Sequence, residues 1–374
     1  MTILFSGYIF LFVKANRIGN EAGGLLFLLL KEQTMSREID WSKLGFAYLK
    51  TDYRYVSRYV DGMWDAGCLT DDDKIILSES ACVLQYSQNV FEGMKAYKTE
   101  DEHIVIFRPD LNAERMISSC KRMCMPVFPK ERFLEAVKDV VLANKDYVPP
   151  YETGASMYLR PFMFGSDPTL GVKPASEFEF RIFASPVGPY FKGKARPLNL
   201  RICDMDRAAP KGTGGVKAGL NYAMSLFAID EAHRLGFDEN LYLDPAGRNF
   251  VEETGGANIF FVTKDKRIIT PKSDSILPSI TRRSMLYVAK EYLGIEVEER
   301  RIAVDELVDF DESGLCGTAA VISPVGSITY KDQVIQFPSG LQKAGEVTQA
   351  VYDTLTGIQM GRIKAPEGWI YSIV

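Results

Sequence analysis

Two short apolar runs, Ile3 to Val13 and Gly24 to Leu30, open the chain and differ from everything after Met35, where a polar Ser-Arg-Glu-Ile-Asp-Trp stretch begins. Neither run reaches the roughly 18 residues a membrane span requires, and no basic cluster or small-residue cleavage site flanks the first. Residues 1–34 are therefore expected to be an over-extended start or a dispensable leader, with a signal anchor as the alternative. Residues 36–70 are mixed and aromatic-rich. Beyond them the pattern becomes regular. Ile104-Val-Ile-Phe-Arg108 reads as a short strand. Pro109-Asp110 then opens a helix to about Met123, with Leu111, Met116, Ile117 and Cys120 spaced for one buried face. A second helix follows Pro129, burying Phe133, Ala136, Val137, Val140 and Val141. Residues 155–164, 178–186 and 198–203 read as strands.

Residues 187–196, Val-Gly-Pro-Tyr-Phe-Lys-Gly-Lys-Ala-Arg, combine Gly, Pro and basic residues between two apolar strands and form the best linker candidate. After it, Asn221 to Leu235 reads as a helix closed by Gly236. A meander follows: residues 240–244 turn through Pro245-Ala-Gly247 into 250–253, and 259–263 turn through Lys264-Asp-Lys266 into 268–270. Further helices are expected after Pro278 and near Gly340. Two mixed α+β units joined by one loop predict a cleft between them, a common place for a small-molecule site.

The 374 residues carry 49 acids against 44 bases, a net charge of -5, with no basic stripe, which argues against a nucleic-acid partner. Only two histidines occur. His233 reads as part of a polar last helical turn and His103 as part of an acidic turn, so a three-histidine metal site is excluded and histidine-based triads are disfavoured. Six scattered cysteines show no Cys-x-x-Cys. Cys120 and Cys124 share a helix face, but two thiols make no metal site, and a cytoplasmic location with reduced thiols is expected.

With histidine nearly absent, lysine is the next reactive group. Lys211-Gly-Thr-Gly-Gly-Val-Lys217-Ala-Gly-Leu-Asn221-Tyr222 holds two. Lys211 reads as solvated, whereas Lys217 sits among small and apolar neighbours just before a helix. Burial there would lower its pKa and make the amine a nucleophile; a phosphate-loop lysine or a surface turn are the plainer readings. The stretch does not fit a P-loop, since neither Ser nor Thr follows Lys217. Leu277-Pro-Ser279-Ile280-Thr281-Arg-Arg283 opens a helix and suits either an anion or simple capping. Cys316-Gly-Thr318-Ala319-Ala320 is a small-residue loop that admits a ligand or merely turns tightly. Glu252-Glu253 ends a strand, with one acid free to meet a cation and the other to meet solvent.

Together these motifs resemble the fold-type IV pyridoxal-phosphate enzymes, and within them the branched-chain amino acid aminotransferases. The resemblance is carried by Glu253-x-Gly255-x-x-Asn258-Ile-Phe260, Ile268-x-Thr270 and Leu277-x-Ser279-Ile280-x-Arg282. It continues in Tyr86-Ser-Gln-Asn-Val-Phe91-Glu-Gly-Met-Lys-Ala-Tyr97, Phe107-Arg108-Pro109, Tyr158-Leu-Arg160-Pro161, Pro186-Val-Gly-Pro-Tyr190-Phe191 and Gly317-Thr318-Ala319, and spans about residues 40–370. It implies an α+β, two-domain fold like that of D-amino acid aminotransferase, with the active site at the domain interface: a leader at 1–34, a small α/β domain at 35–187, an interdomain loop at 188–196, and a large cofactor-binding domain at 197–374.

The resemblance further implies that Lys217 forms the Schiff base with pyridoxal 5'-phosphate and shuttles the proton. Glu253 would meet the pyridine nitrogen and Tyr222 the phenolic oxygen, while Arg108, Ile280, Thr281 and Thr318 would hold the phosphate. Tyr86, Phe91, Tyr158, Arg160 and Tyr190 would form the side-chain pocket, with Arg160 meeting the distal carboxylate of glutamate. Thr318 and Ala319 N–H groups would take the α-carboxylate. The implied reaction is ping-pong transamination of L-leucine, L-isoleucine and L-valine with 2-oxoglutarate by a homodimer, without a metal or a membrane. Other members of the fold, a D-amino acid aminotransferase or an aminodeoxychorismate lyase, are the nearest alternatives, and a non-catalytic phosphate-ligand binder is the alternative from another class. The chain departs from the family at Gly256-Ala257, Ser279 and Leu220, and Ala320 and Ser323 stand where some relatives carry a redox Cys-x-x-Cys.

Overall fold

The computed structural model describes residues 39–188, 196–338 and 340–374, together with Leu4–Phe5 and Tyr8–Ile9, which form a two-stranded ladder. The chain divides into the units Met1–Ile39 and Asp40–Val374. The expected linker at 188–196 and its Tyr190 and Phe191 lie almost wholly outside the described residues.

The second unit is built on two nine-stranded sheets. The first sheet draws on β1 (Arg54–Val60), β2 (Met63–Trp64), β3 (Cys68–Thr70), β4 (Asn89–Phe91), β5 (Met94–Lys98), β6 (Ile104–Phe107), β7 (Ser156–Gly165) and β8 (Phe178–Val187). Short helix α1 (Cys82–Tyr86) precedes β4, and α2 (Pro109–Arg122) and α3 (Lys130–Ala143) follow β6. The long β7–β8 pair is antiparallel and in register from Phe178↔Gly165 to Val187↔Ser156. Phe133, Val137, Val140 and Val141 of α3 are buried, and Phe180 of β8 stacks on Phe128. That burial is what fixes α3 on the sheet, because helix formation alone is marginal at this length.

The second sheet runs β9 (Leu198–Ile202), β10 (Glu239–Leu243), β11 (Val251–Thr254), β12 (Asn258–Thr263), β13 (Ile268–Pro271), β14 (Val297–Arg300), β15 (Phe310–Gly317), β16 (Val321–Tyr330) and β17 (Gln333–Gln336). Helices α4 (Gly219–Arg234), α5 (Ile280–Leu293) and α6 (Glu346–Gln359) belong to the same half of the chain. Several of its strands are buried along all or most of their length even where they are polar, as in Val251–Thr254 and Phe310–Gly317. Phe260, Val262, Val288, Val351 and Leu355 join one core, and Phe261, Leu241, Ile259 and Ile328 another.

Several expectations needed tertiary information to correct. The aromatic-rich segment 36–70 supplies β1, which pairs with β8 from Phe178↔Tyr59. The last helix begins at Glu346 rather than near Gly340, capped by the Glu312 carboxylate, which accepts from the Val347 and Thr348 N–H groups at 3.1 and 2.8 Å. The last strand, β18 (Ile370–Ser372), returns to the first sheet and pairs with β6. Helix α2 is rotated from the apolar face read in the sequence: it buries Asn112 and Ser119 beside Ala113, Met116 and Cys120. Both polar side chains are satisfied where they are buried: Asn112 donates to Glu92 and to Gly93 C=O, and Ser119 Oγ accepts from Lys217 N–H.

Candidate active site

A cavity of about 800 Å³ opens between the two sheets, with Lys217, Tyr222, Glu253, Arg115 and Thr318 among its walls. Lys217 reaches it because the residues just before α4 are tied to β4. Phe91 N–H donates to Lys217 C=O at 3.0 Å, Lys217 N–H donates to Ser119 Oγ at 3.2 Å, and Val90 bridges Ala218. Burial, reinforced by the charge of Arg115, lowers the Lys217 amine to about 8. Its Nζ donates to the Tyr222 hydroxyl at 2.9 Å. That hydroxyl sits one helical turn further along and is pushed up to about 12 by burial and by the Glu253 charge. A surface turn, one of the plainer sequence readings, does not describe an amine set in the wall of this cavity and bonded to Tyr222.

Of the two adjacent acids, Glu253 faces the cavity. Its Oε1 accepts from Arg207 Nη2 and from Leu277 N–H, both at 2.8 Å, and its Oε2 accepts from Asn258 Nδ2 at 2.5 Å. Burial raises its carboxyl to about 7, while Arg207 leads the groups that hold it down. Glu252 points the other way and accepts from Ser273 at 2.7 Å and from Ser275. Strand alternation predicts that split.

The anion end lies at the start of α5. Ser279 caps it, accepting from Arg282 N–H at 3.1 Å, and lines the cavity. Ile280 and Thr281 occupy the first turn, where free N–H groups and the positive helix end favour a phosphate. Arg108 is not there. Its guanidinium donates to Ser284 Oγ at 2.9 Å and stacks over Trp369 at 4.3 Å, outside the cavity walls. The cation at this end is Arg115, two turns along α2. It forms a two-pronged pair with buried Glu92 at 2.8 and 2.7 Å and donates to Pro278 C=O at 3.1 Å. The resemblance points to Arg108 through the quoted Phe-Arg-Pro motif, but Arg108 stands before the first turn of α2 and its side chain runs to Ser284 and Trp369 instead.

Phe91, Tyr158, Arg160, Thr318 and Ala319 all line the cavity. Arg160 lies 4.8 Å over Phe91 and donates to Tyr158 OH at 3.2 Å, and its buried Nε has no partner. Tyr86 does not line the cavity. It is partly exposed and its hydroxyl donates to Leu170 C=O. Tyr190 lies outside the described residues. Lys95, unnoticed in the sequence, is buried on β5 and donates to Ala319 C=O at 2.6 Å, holding the Gly317–Val321 turn from behind. Burial lowers it to about 8. His103 and His233 are exposed and bond only to backbone carbonyls. Among the described residues no cluster of acids, histidines or cysteines is able to hold a metal, and no helix is long and apolar enough to cross a membrane.

One buried amine, one buried carboxylate and one helix start beside an arginine, all on one cavity, suit a flat phosphorylated aldehyde with a basic ring nitrogen. At Gly256 a side chain would meet nothing within 4 Å, so the site keeps room there for a ligand.

Comparison with known proteins gives the same picture. The model of amino-transferase class IV matches residues 89–328. The branched-chain-amino-acid aminotransferase of Haemophilus influenzae is 50% identical over 342 residues, 90% of this chain and 99% of that protein. That of Helicobacter pylori is 47% identical, covering 90% and 98%. Among solved structures, an Escherichia coli branched-chain amino acid aminotransferase is 30% identical with a TM-score of 0.74, covering 87% of this chain and 100% of that one. The PLP-form (holo-form) of the branched-chain amino acid aminotransferase from Thermobaculum terrenum is 26% identical with a TM-score of 0.71, covering 87% and 99%.

Proposed function

The chain belongs to the class IV amino-transferase family, and from that premise we propose that it passes the amino group of L-leucine, L-isoleucine or L-valine to 2-oxoglutarate in two successive half-reactions. The observation that carries the reading is the enclosed Lys217 amine sharing one cavity with Glu253 and Arg115 in a chain half identical to such an enzyme. Pyridoxal 5'-phosphate, when bound, supplies the aldehyde that receives the amino group and the ring that accepts the electron pair left at the substrate Cα.

The protein's own groups do the rest. Lys217 Nζ would hold the cofactor and, when free, would carry a proton from the substrate Cα; Tyr222 orients it. Glu253, bonded to Arg207, Leu277 N–H and Asn258, would meet the ring nitrogen, its ionised form favoured by Arg207 against the cost of burial. Arg115 and the first turn of α5, with Thr318, hold the phosphate and so fix the ring against the lysine. The Thr318 and Ala319 N–H groups take the α-carboxylate. Phe91 and Tyr158 offer apolar faces to a branched side chain, and Arg160, with an unpaired Nε, offers a charge-assisted bond to the distal carboxylate of the second substrate.

Purified protein is expected to show a coloured cofactor, trappable on Lys217 by borohydride, and to form glutamate from L-leucine and 2-oxoglutarate. D-Alanine should be a poor donor. Turnover retained by Lys217→Ala, or D-alanine outpacing L-leucine, would overturn the reading.

The working form is taken to be a homodimer, supported by the exposed apolar Ile76, Leu84, Leu170 and Val172, with Leu84 reaching the cavity rim; a monomer in light scattering would count against it. Six unpaired cysteines fit a reducing compartment, and the cytoplasm is assigned on that basis, to be tested by cell fractionation. Apart from β18, which adds an edge strand to the first sheet, the two sheets are assigned to a small domain at 35–187 and a large one at 197–374, with 188–196 as the joint. Limited proteolysis should cut there first.

A further inference from the structure

We propose that Asn89 is a positioning residue that caps helix α4 from the opposite sheet and thereby sets Lys217 and Tyr222 relative to each other. The inference rests on the transaminase reading above. Helix α4 begins at Gly219, and its N-cap residue, Ala218, has no side-chain oxygen to offer the free N–H groups of the first turn. Asn89, on β4 and 130 residues away in sequence, fills that role: its Oδ1 accepts from Gly219 N–H at 2.9 Å. Gly219 is shaped for this contact, since a Cβ there would stand 2.5 Å from Asn89 Oδ1.

The consequence follows from where the capped turn lies. Lys217 sits two residues before it and Tyr222 three residues after Gly219, and their reacting atoms are 2.9 Å apart. The other ties between β4 and this segment are two backbone ones, Phe91 N–H to Lys217 C=O and the Val90–Ala218 bridge, and the Phe91 ring, which packs edge-on against Tyr222 at 4.9 Å and lies 4.8 Å from Lys217 Nζ. The Asn89 side chain is the part of the β4 clamp that substitution can remove while the backbone ties remain. Misplacement of about 1 Å in a reacting group costs on the order of a hundredfold in rate, so loss of the cap should act on turnover more than on substrate binding.

The test compares Asn89→Ala, Asn89→Asp, Gly219→Ala and the Asn89→Ala/Gly219→Ala double variant as holoenzymes. Readouts are kcat, KM for L-leucine, and the pH at which the bound cofactor changes absorbance. Asn89→Ala should lower kcat by about tenfold or more, leave KM within about twofold, and move the absorbance transition. Asn89→Asp, which keeps the acceptor, should restore most of kcat. Gly219→Ala should lower kcat alone but far less in the Asn89→Ala background, because the collision is gone. An Asn89→Ala enzyme with unchanged kcat and transition would overturn the proposal. So would additive effects in the cycle, or a raised KM at constant kcat, which would make Asn89 a substrate contact. If the wild-type protein carries no trappable cofactor on Lys217, the transaminase reading fails first and this inference with it.

Discussion

Arg207 and Glu253 form a buried pair at 2.8 Å, and replacing Arg207 by Met removes the positive charge while keeping an apolar chain to fill the space. With Arg207 present the Glu253 carboxyl titrates near 7, above its ordinary 4.5, because burial outweighs its donors. Without Arg207 it rises further. A group raised on folding gives stability that is fully present below its unfolded pKa and is lost as pH climbs to its folded pKa. Wild-type and variant curves should therefore fall together from about pH 4.5 to 7. Above 7 the wild type levels off and the variant keeps falling, by about 1.4 kcal/mol per pH unit. The gap should widen for as long as the variant's carboxyl stays protonated and level off once pH passes its raised folded-state pKa, within the roughly 3–5 kcal/mol typical of an orphaned buried charge. Urea unfolding of cofactor-stripped protein at half-unit steps from pH 6 to 9 measures this directly. A difference that stays constant across that range, or narrows as pH rises, would refute the electrostatic reasoning.

Two further outcomes are expected. Cofactor uptake by stripped protein should speed up about tenfold per pH unit below 8 and flatten above it, because only the neutral Lys217 amine attacks and its pKa is lowered to about 8; a rate independent of pH, followed by stopped-flow absorbance, would contradict this. Arg115→Gln should weaken cofactor binding by about tenfold or more, as loss of a charged hydrogen bond of some 1.5–3 kcal/mol requires, whereas Arg108→Gln should leave it within about twofold. Equilibrium dialysis showing the reverse order would return the phosphate to Arg108.

The reactive centre was legible from local sequence because its signals are short in range. Lys217 stands before a helix start, Tyr222 lies within the first turns of that helix, and Glu253 precedes its asparagine partner Asn258 by five residues. Period-two and helical patterns likewise exposed β6, α3 and the meander of the second sheet. Less was readable where polarity and burial part company. Helix α2 looks like an amphipathic helix with an apolar face through Leu111 and Ile117, yet it buries Asn112 and Ser119. Segment 310–330 carries two long strands, β15 and β16. Its Ser, Gly and Pro residues hid them, and only pairing with β12 and β9 makes them strands.

What the neighbouring residues offered by themselves was a candidate amine, a candidate acid and a helix start suited to an anion, each with a plainer alternative; the resemblance along the whole chain is what joined them into one expected site. The tertiary structure alone decided which arginine stands at the phosphate end and what holds the lysine in place. Arg108 and Arg115 stand seven residues apart, a spacing that puts both on one side of a helix, so periodicity does not separate them: Arg108 lies before the first turn at φ 49° and bonds Ser284, while Arg115 runs to Glu92 and the Pro278 carbonyl. The Asn89 cap joins residues 130 positions apart, a contact that exists only once two sheets close on each other.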